Sequence, residues 1–106
     1  MSRPVTVNIP HSLGKEEARR RIEAGFGGLE QQMTGGVGKL LSLRQRWDGD
    51  VLHFEGGGLG QSITGRVTVL ADQVQIQLDL PALLAMAAER IAVALKKEGQ
   101  KLLERK

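Results

Sequence analysis

Few residues in this chain are of types that carry chemistry. His11 and His53 are its only histidines, and neither has carboxylates at the spacing of a metal site, which needs three or four convergent ligands. His11 reads as a polar residue beside a helix start. His53 alternates with Leu52 and Phe54, which makes it a solvent-facing strand residue. Asp48 and Asp50 flank Gly49, but a calcium loop needs further oxygen donors and a later glutamate, so Asp48-Gly49-Asp50 reads as a hairpin turn. Two glycine-rich stretches fail as phosphate cradles. In Gly35-Gly36-Val37-Gly38-Lys39-Leu40 the P-loop spacing puts Met33 at the first glycine and Leu40 at the magnesium-binding hydroxyl. After Gly58 and Gly60, Ile63 stands where a dinucleotide fingerprint needs its last glycine. The chain has no cysteine, and no serine sits in a nucleophile-elbow context. The expectation is no catalytic residue, no cofactor, no metal, and hence no enzyme.

Composition points the same way. A chain of 106 residues with 41% hydrophobic and 25% charged residues suits one globular domain spanning 1–106. The net charge of +3 is a weak basic bias, and aromatics are only 3%, too few for the stacking platforms of single-stranded nucleic-acid binders. Arg19-Arg20-Arg21 is diluted by Glu16, Glu17 and Glu23 and reads as a solvated helix face, so no nucleic-acid partner is expected. The longest apolar run, 80–88, stops at Glu89-Arg90, short of the ~20 residues of a spanning helix. With no apolar leader at its start, the chain is expected to be cytoplasmic with no transmembrane segment.

Periodicity supplies the elements that must position these residues. Val5, Val7 and Ile9 alternate with polar residues and predict a strand that Pro10 ends. Ala18, Ile22, Phe26, Leu29 and Met33 follow at helical spacing and predict a helix from Gly14 to Met33. Gly25, Gly27 and Gly28 within it suggest a kink or close packing on the sheet. Leu41, Leu43 and Trp47 resume a two-residue period. Val51 to Glu55 is read as the next strand and 56–60 as a glycine connection. Ile63, Gly65, Val67 and Val69 form the fourth strand, and Val74, Ile76, Leu78 and Leu80 the fifth. Pro81 then starts a helix over 82–104. The order β-α-β-β-β-β-α, with one apolar sheet face, predicts a two-layer α+β fold. Its sheet is mostly antiparallel, with two helices on one face, a reduced helix-grip-like architecture.

A final helix that long would span more than 30 Å against ~23 Å for a seven-residue strand, so a basic amphipathic tail over 96–106 should overhang the sheet. The run 82–88 is apolar nearly all round, more than one sheet-facing stripe needs. Leu83, Met86, Ala87, Arg90, Leu102 and Leu103 are the expected interaction surface.

A resemblance spans nearly the whole chain. Pro10-His11-Ser12-Leu13, Lys15-Glu16-Glu17-Ala18-Arg19, Trp47-Asp48-Gly49-Asp50 with Leu52-His53-Phe54, the stretch 65–69 and Asp79-Leu80-Pro81 occur in an order that resembles the polyhydroxyalkanoic acid system family, also called polyhydroxyalkanoate granule region proteins. The resemblance implies a bacterial, granule-associated accessory role and brings no active site. Its partner would be a polyhydroxyalkanoate granule or a granule protein, met through the last helix. Two other readings stand beside it: a carrier of an apolar ligand held between sheet and helix, and a structural homodimer through the alanine-rich face.

Overall fold

The computed structural model describes residues 3–33, 42–58 and 61–104. Strand β1 (Arg3–Pro10) forms where the two-residue period puts Val5, Val7 and Ile9 on one face, and all three are buried. It pairs antiparallel with β5 (Gln73–Leu80), setting Val5 opposite Leu78, Val7 opposite Ile76 and Ile9 opposite Val74. Strands β2 (Ser42–Asp48), β3 (Val51–Gly58) and β4 (Gln61–Val69) complete a five-stranded sheet in the order β1-β5-β4-β3-β2. Every neighbouring pair is antiparallel. The first two strands are thus the two edges, and α1 (Lys15–Met33) carries the chain between them. The predicted α+β order is the observed one.

Gly49 takes φ 62° in the two-residue turn between β2 and β3, the left-handed conformation that such hairpins favour. The expected glycine connection after Glu55 is partly strand, because Gly56 pairs with Ile63, Gly57 with Ser62 and Gly58 with Gln61. Residues 34–41, Leu41 included, and residues 59–60 lie outside the described residues.

Helix α1 begins after Gly14, whose carbonyl accepts the Ala18 N–H at 3.1 Å. Glu16 and Glu17 occupy its first turn, where the helix dipole favours carboxylates. Ala18, Ile22, Phe26 and Leu29 form its buried stripe. The glycines within α1 do not meet the sheet. A Cβ on Gly25 would fall 2.2 Å from Leu102 Cδ2, and one on Gly28 would fall 2.9 Å from Glu98 Oε2. They let the last helix approach α1 closely.

The single helix expected over 82–104 is two: a one-turn α2 (Ala82–Ala85) and α3 (Ala88–Leu102). At the break Ala87 has φ −100° and ψ 11°, and its N–H bonds back three residues to the Leu84 carbonyl at 3.0 Å. The turn lets Leu84 close on the core while Ala88, Ile91 and Leu95, buried in their turn, set a new helical face toward the same core. With 15 residues, α3 is ~22 Å long, about the length of a strand. Over the described part of that tail, 96–104, the helix therefore does not overhang the sheet. Gly99 and Leu103 are buried, and Leu103, at 5% exposure, belongs to the core.

Between sheet and helices the space is filled by Ile9, Ile22, Leu52, Ile76, Leu80 and Leu95, all with no exposure. Phe26 of α1 meets Phe54 of β3 with ring centroids 5.6 Å apart. The opposite face of the sheet faces away from both helices.

Candidate interaction surface

The residues singled out for chemistry are engaged in structure. His11 Nδ1 accepts the Leu13 N–H at 3.1 Å, and Nε2 lies 3.1 Å from the Leu70 carbonyl oxygen. With the His11 N–H donating to the Asp72 carbonyl at 2.9 Å, this side chain latches the β1–α1 turn to the β4–β5 turn. Asp50 Oδ2 holds Lys15 Nζ at 3.1 Å, tying the β2–β3 turn to the start of α1. Among the described residues, no three His, Cys, Asp or Glu side chains gather as a metal site would require.

The three consecutive arginines of α1 are engaged within the fold: Arg19 turns to β2, while Arg20 and Arg21 share one carboxylate. Arg19 stacks on Trp47 of β2, its guanidinium carbon 4.4 Å from the ring centroid. Arg20 donates to Glu17 through Nε at 3.0 Å and Nη2 at 2.5 Å. Arg21 donates Nε to the same carboxylate at 2.8 Å and Nη1 to the carbonyls of Leu102 and Glu104. Arg21 thereby caps the end of α3, whose last carbonyls have no intrahelical donor.

The hydrogen bonds from Arg20, and then Arg21, hold the Glu17 carboxyl down at about 2. A carboxylate lowered on folding contributes stability that is complete above its unfolded value and lost as pH falls toward the folded one. Replacing Arg21 with alanine should therefore lower stability at neutral pH, where the Glu17 carboxylate is fully ionised. It should also speed amide exchange in the last turn of α3 while leaving the sheet unchanged. In the parent protein the same turn should loosen as pH drops from about 4.5 toward 2, the window that the Glu17 shift defines. Exchange measured by NMR along that titration checks both.

One surface open to partners is the outer face of α2–α3. Met86, at the break, is 99% exposed, and Val93 is 56% exposed. Arg90, Val93 and Lys97 succeed one another at helical spacing on α3, and Arg90, Lys96, Lys97 and Lys101 are exposed. Of the six residues expected from sequence, Met86 and Arg90 lie on this surface. Ala87 is half-buried against the core, the Leu83 side chain lies outside the described residues, and Leu102 and Leu103 turn inward because α3 docks along its whole length. Val93 was not anticipated, although it follows Arg90 by three residues, a spacing that returns to the same helix face.

A family pattern described as putative polyhydroxyalkanoic acid system protein matches residues 5–103. The chain belongs to this family. The match runs from β1 through the residue after α3, so it takes in every described element of the fold. It ties the chain to the polyhydroxyalkanoate system. No curated protein matches the chain. No helix among the described residues is long and apolar enough to cross a membrane.

Proposed function

We propose that this member of the polyhydroxyalkanoate system is a non-enzymatic, cytoplasmic accessory protein that acts by binding, docking its α2–α3 edge on the granule surface. The observation that carries this reading is Met86, a methionine exposed to 99% at the break between two helices. Leaving such a side chain in water forgoes about 1.5–3 kcal/mol that burial would supply. Val93 of α3 is a second exposed apolar side chain, and the exposed cations of α3 suit an amphipathic boundary, where an apolar contact is flanked by anionic or polar groups. The engagement of His11, Asp50 and the arginine run in structural contacts favours binding over catalysis. The apolar-carrier reading is weakened by the core, since the sheet–helix space is filled by side chains.

The test is co-sedimentation with isolated polyhydroxyalkanoate granules. The parent protein should sediment with them, and Met86→Glu should weaken that association roughly tenfold or more without changing the circular dichroism spectrum. A parent protein that stays in the supernatant, or a variant that binds equally well, overturns the reading. A concentration-dependent dimer that Met86→Glu dissolves, with no granule binding, would assign this edge to a second copy instead.

A further inference from the structure

The antiparallel register lines up the outward side chains of the open sheet face in rows. Thr6, Gln77, Arg66, His53 and Arg46 form one row across all five strands. Pro4, Asp79, Thr64, Glu55 and Arg44 form the next. The residues between the rows point toward the helices, so the rows wall a trough whose floor is largely main chain. Two concavities, about 370 Å³ toward β2 and about 290 Å³ toward β1, share His53, Thr64 and Gly65 as lining. Together they run the width of the sheet, each on the scale of a small-molecule site.

The trough has a direction. At its β2 end Arg44 and Arg46, two residues apart on one strand face, stand about 7 Å apart on opposite walls. Both are exposed, and neither has an ion-pair partner among the described residues. Glu55, beside Arg44 in its row, makes no ion pair with it. At the other end are the Asp79 carboxylate and Gln77, whose Oε1 accepts the Arg66 Nε–H at 2.7 Å and so fixes that guanidinium on the wall. A ligand matched to this pattern carries one carboxylate, a neutral middle rich in acceptors that can pass Glu55 without repulsion, and a hydroxyl donor at its far end. A polyphosphate or nucleic-acid strand fits poorly, because its repeating charges would meet Glu55 and Asp79.

We infer that the trough binds a linear oligoester of a hydroxy acid. The free carboxylate lies between Arg44 and Arg46, where charge-assisted hydrogen bonds are strong. The ester carbonyls face the donors of Thr64, His53 and Arg66, and the terminal hydroxyl donates to Asp79. This ligand class rests on membership of the polyhydroxyalkanoate system and is independent of how the α2–α3 edge docks. The same chemistry is offered by a free oligomer and by the acid end of a polymer chain in a granule.

The experiment is an NMR titration of the 15N-labelled full chain with the linear trimer of 3-hydroxybutyrate. Saturable shifts are expected at the amides of His53, Thr64 and Gly65 and not along α3. The methyl ester of the trimer should bind at least tenfold more weakly, as should the trimer to an Arg44→Ala, Arg46→Ala variant. The absence of saturable shifts, equal binding of ester and acid, or acetate saturating the same amides as tightly as the trimer would each overturn the proposal. Met86→Glu should leave this titration unchanged, so its failure and the failure of granule docking are read separately. Loss of granule co-sedimentation in the double arginine variant would identify polymer chain ends as the source. Its retention, with trimer binding lost, would identify free oligomers.

Discussion

Replacing Gly65 with alanine is expected to lower stability by about 3 kcal/mol, at the upper end of what overpacking a well-filled core costs. Gly65 sits in β4 opposite Phe54 on one side and Leu78 on the other. A Cβ there would lie 2.5 Å from both the Gln77 carbonyl oxygen and Phe54 Cζ, and 2.8 Å from Leu78 Cβ. Two of those atoms, a main-chain oxygen and a Cβ, move only if β5 itself moves. The third belongs to a ring that is 3% exposed and already packed on Phe26. The sign is informative, because alanine for glycine in a strand of ordinary φ and free space gains up to about 1 kcal/mol by restricting the unfolded chain. The urea midpoint of the variant, compared with that of the parent, decides the matter. Adding Phe54→Leu should recover part of the loss, since it removes the one obstacle that is only a side chain.

Gly99→Ala carries the second large effect. In α3 the substitution should gain helix propensity of about 1 kcal/mol. The new methyl, however, would lie 2.1 Å from Ile9 Cδ1, and Ile9 has no exposure through which it could retreat. Either the Ile9 side chain leaves its rotamer or α3 lifts from β1, so a net loss of about 1 kcal/mol is expected. Ile9→Val alone should cost about 1 kcal/mol. Combined with Gly99→Ala it removes the colliding methyl, so the pair should be clearly less destabilised than the sum of the single changes. Thermal or chemical unfolding of the four proteins measures that coupling.

These two positions also mark where the sequence was legible and where it was not. Strands such as β1 and β5 announce themselves by strict alternation, and α1 by its stripe from Ala18 to Leu29, because each pattern is local. The α2–α3 break is not local. Leucine, alanine and methionine all favour an unbroken helix, and only the need to bury both Leu84 and Ile91 against the core bends the chain at Met86-Ala87. Leu102 and Leu103 were misplaced for the same reason, since the direction of the last turn depends on that bend. Glycines misled twice. Gly56-Gly57-Gly58 resembles a loop yet continues β3, and Gly25 and Gly28 resemble a kink yet serve the contact with α3. The rows of the open face depend on pairing β1 with β5, more than sixty residues apart, which no local pattern can specify.

The two edges of the sheet differ in how they resist another strand. Proline lacks an N–H, so Pro4 and Pro10 of β1 must lie at positions turned away from β5. They remove donors from both ends of the free edge, leaving any incoming strand an incomplete ladder. The β2 edge carries no proline and relies on charge. If two copies met there in antiparallel pairing centred on Gln45, Arg44 of each would stand directly opposite Arg46 of the other, and like charges so placed repel. Any boundary that gathers many copies of this chain would bring such edges side by side. Under that crowding, two prolines and two arginines keep neighbouring sheets from growing into one another as a fibre.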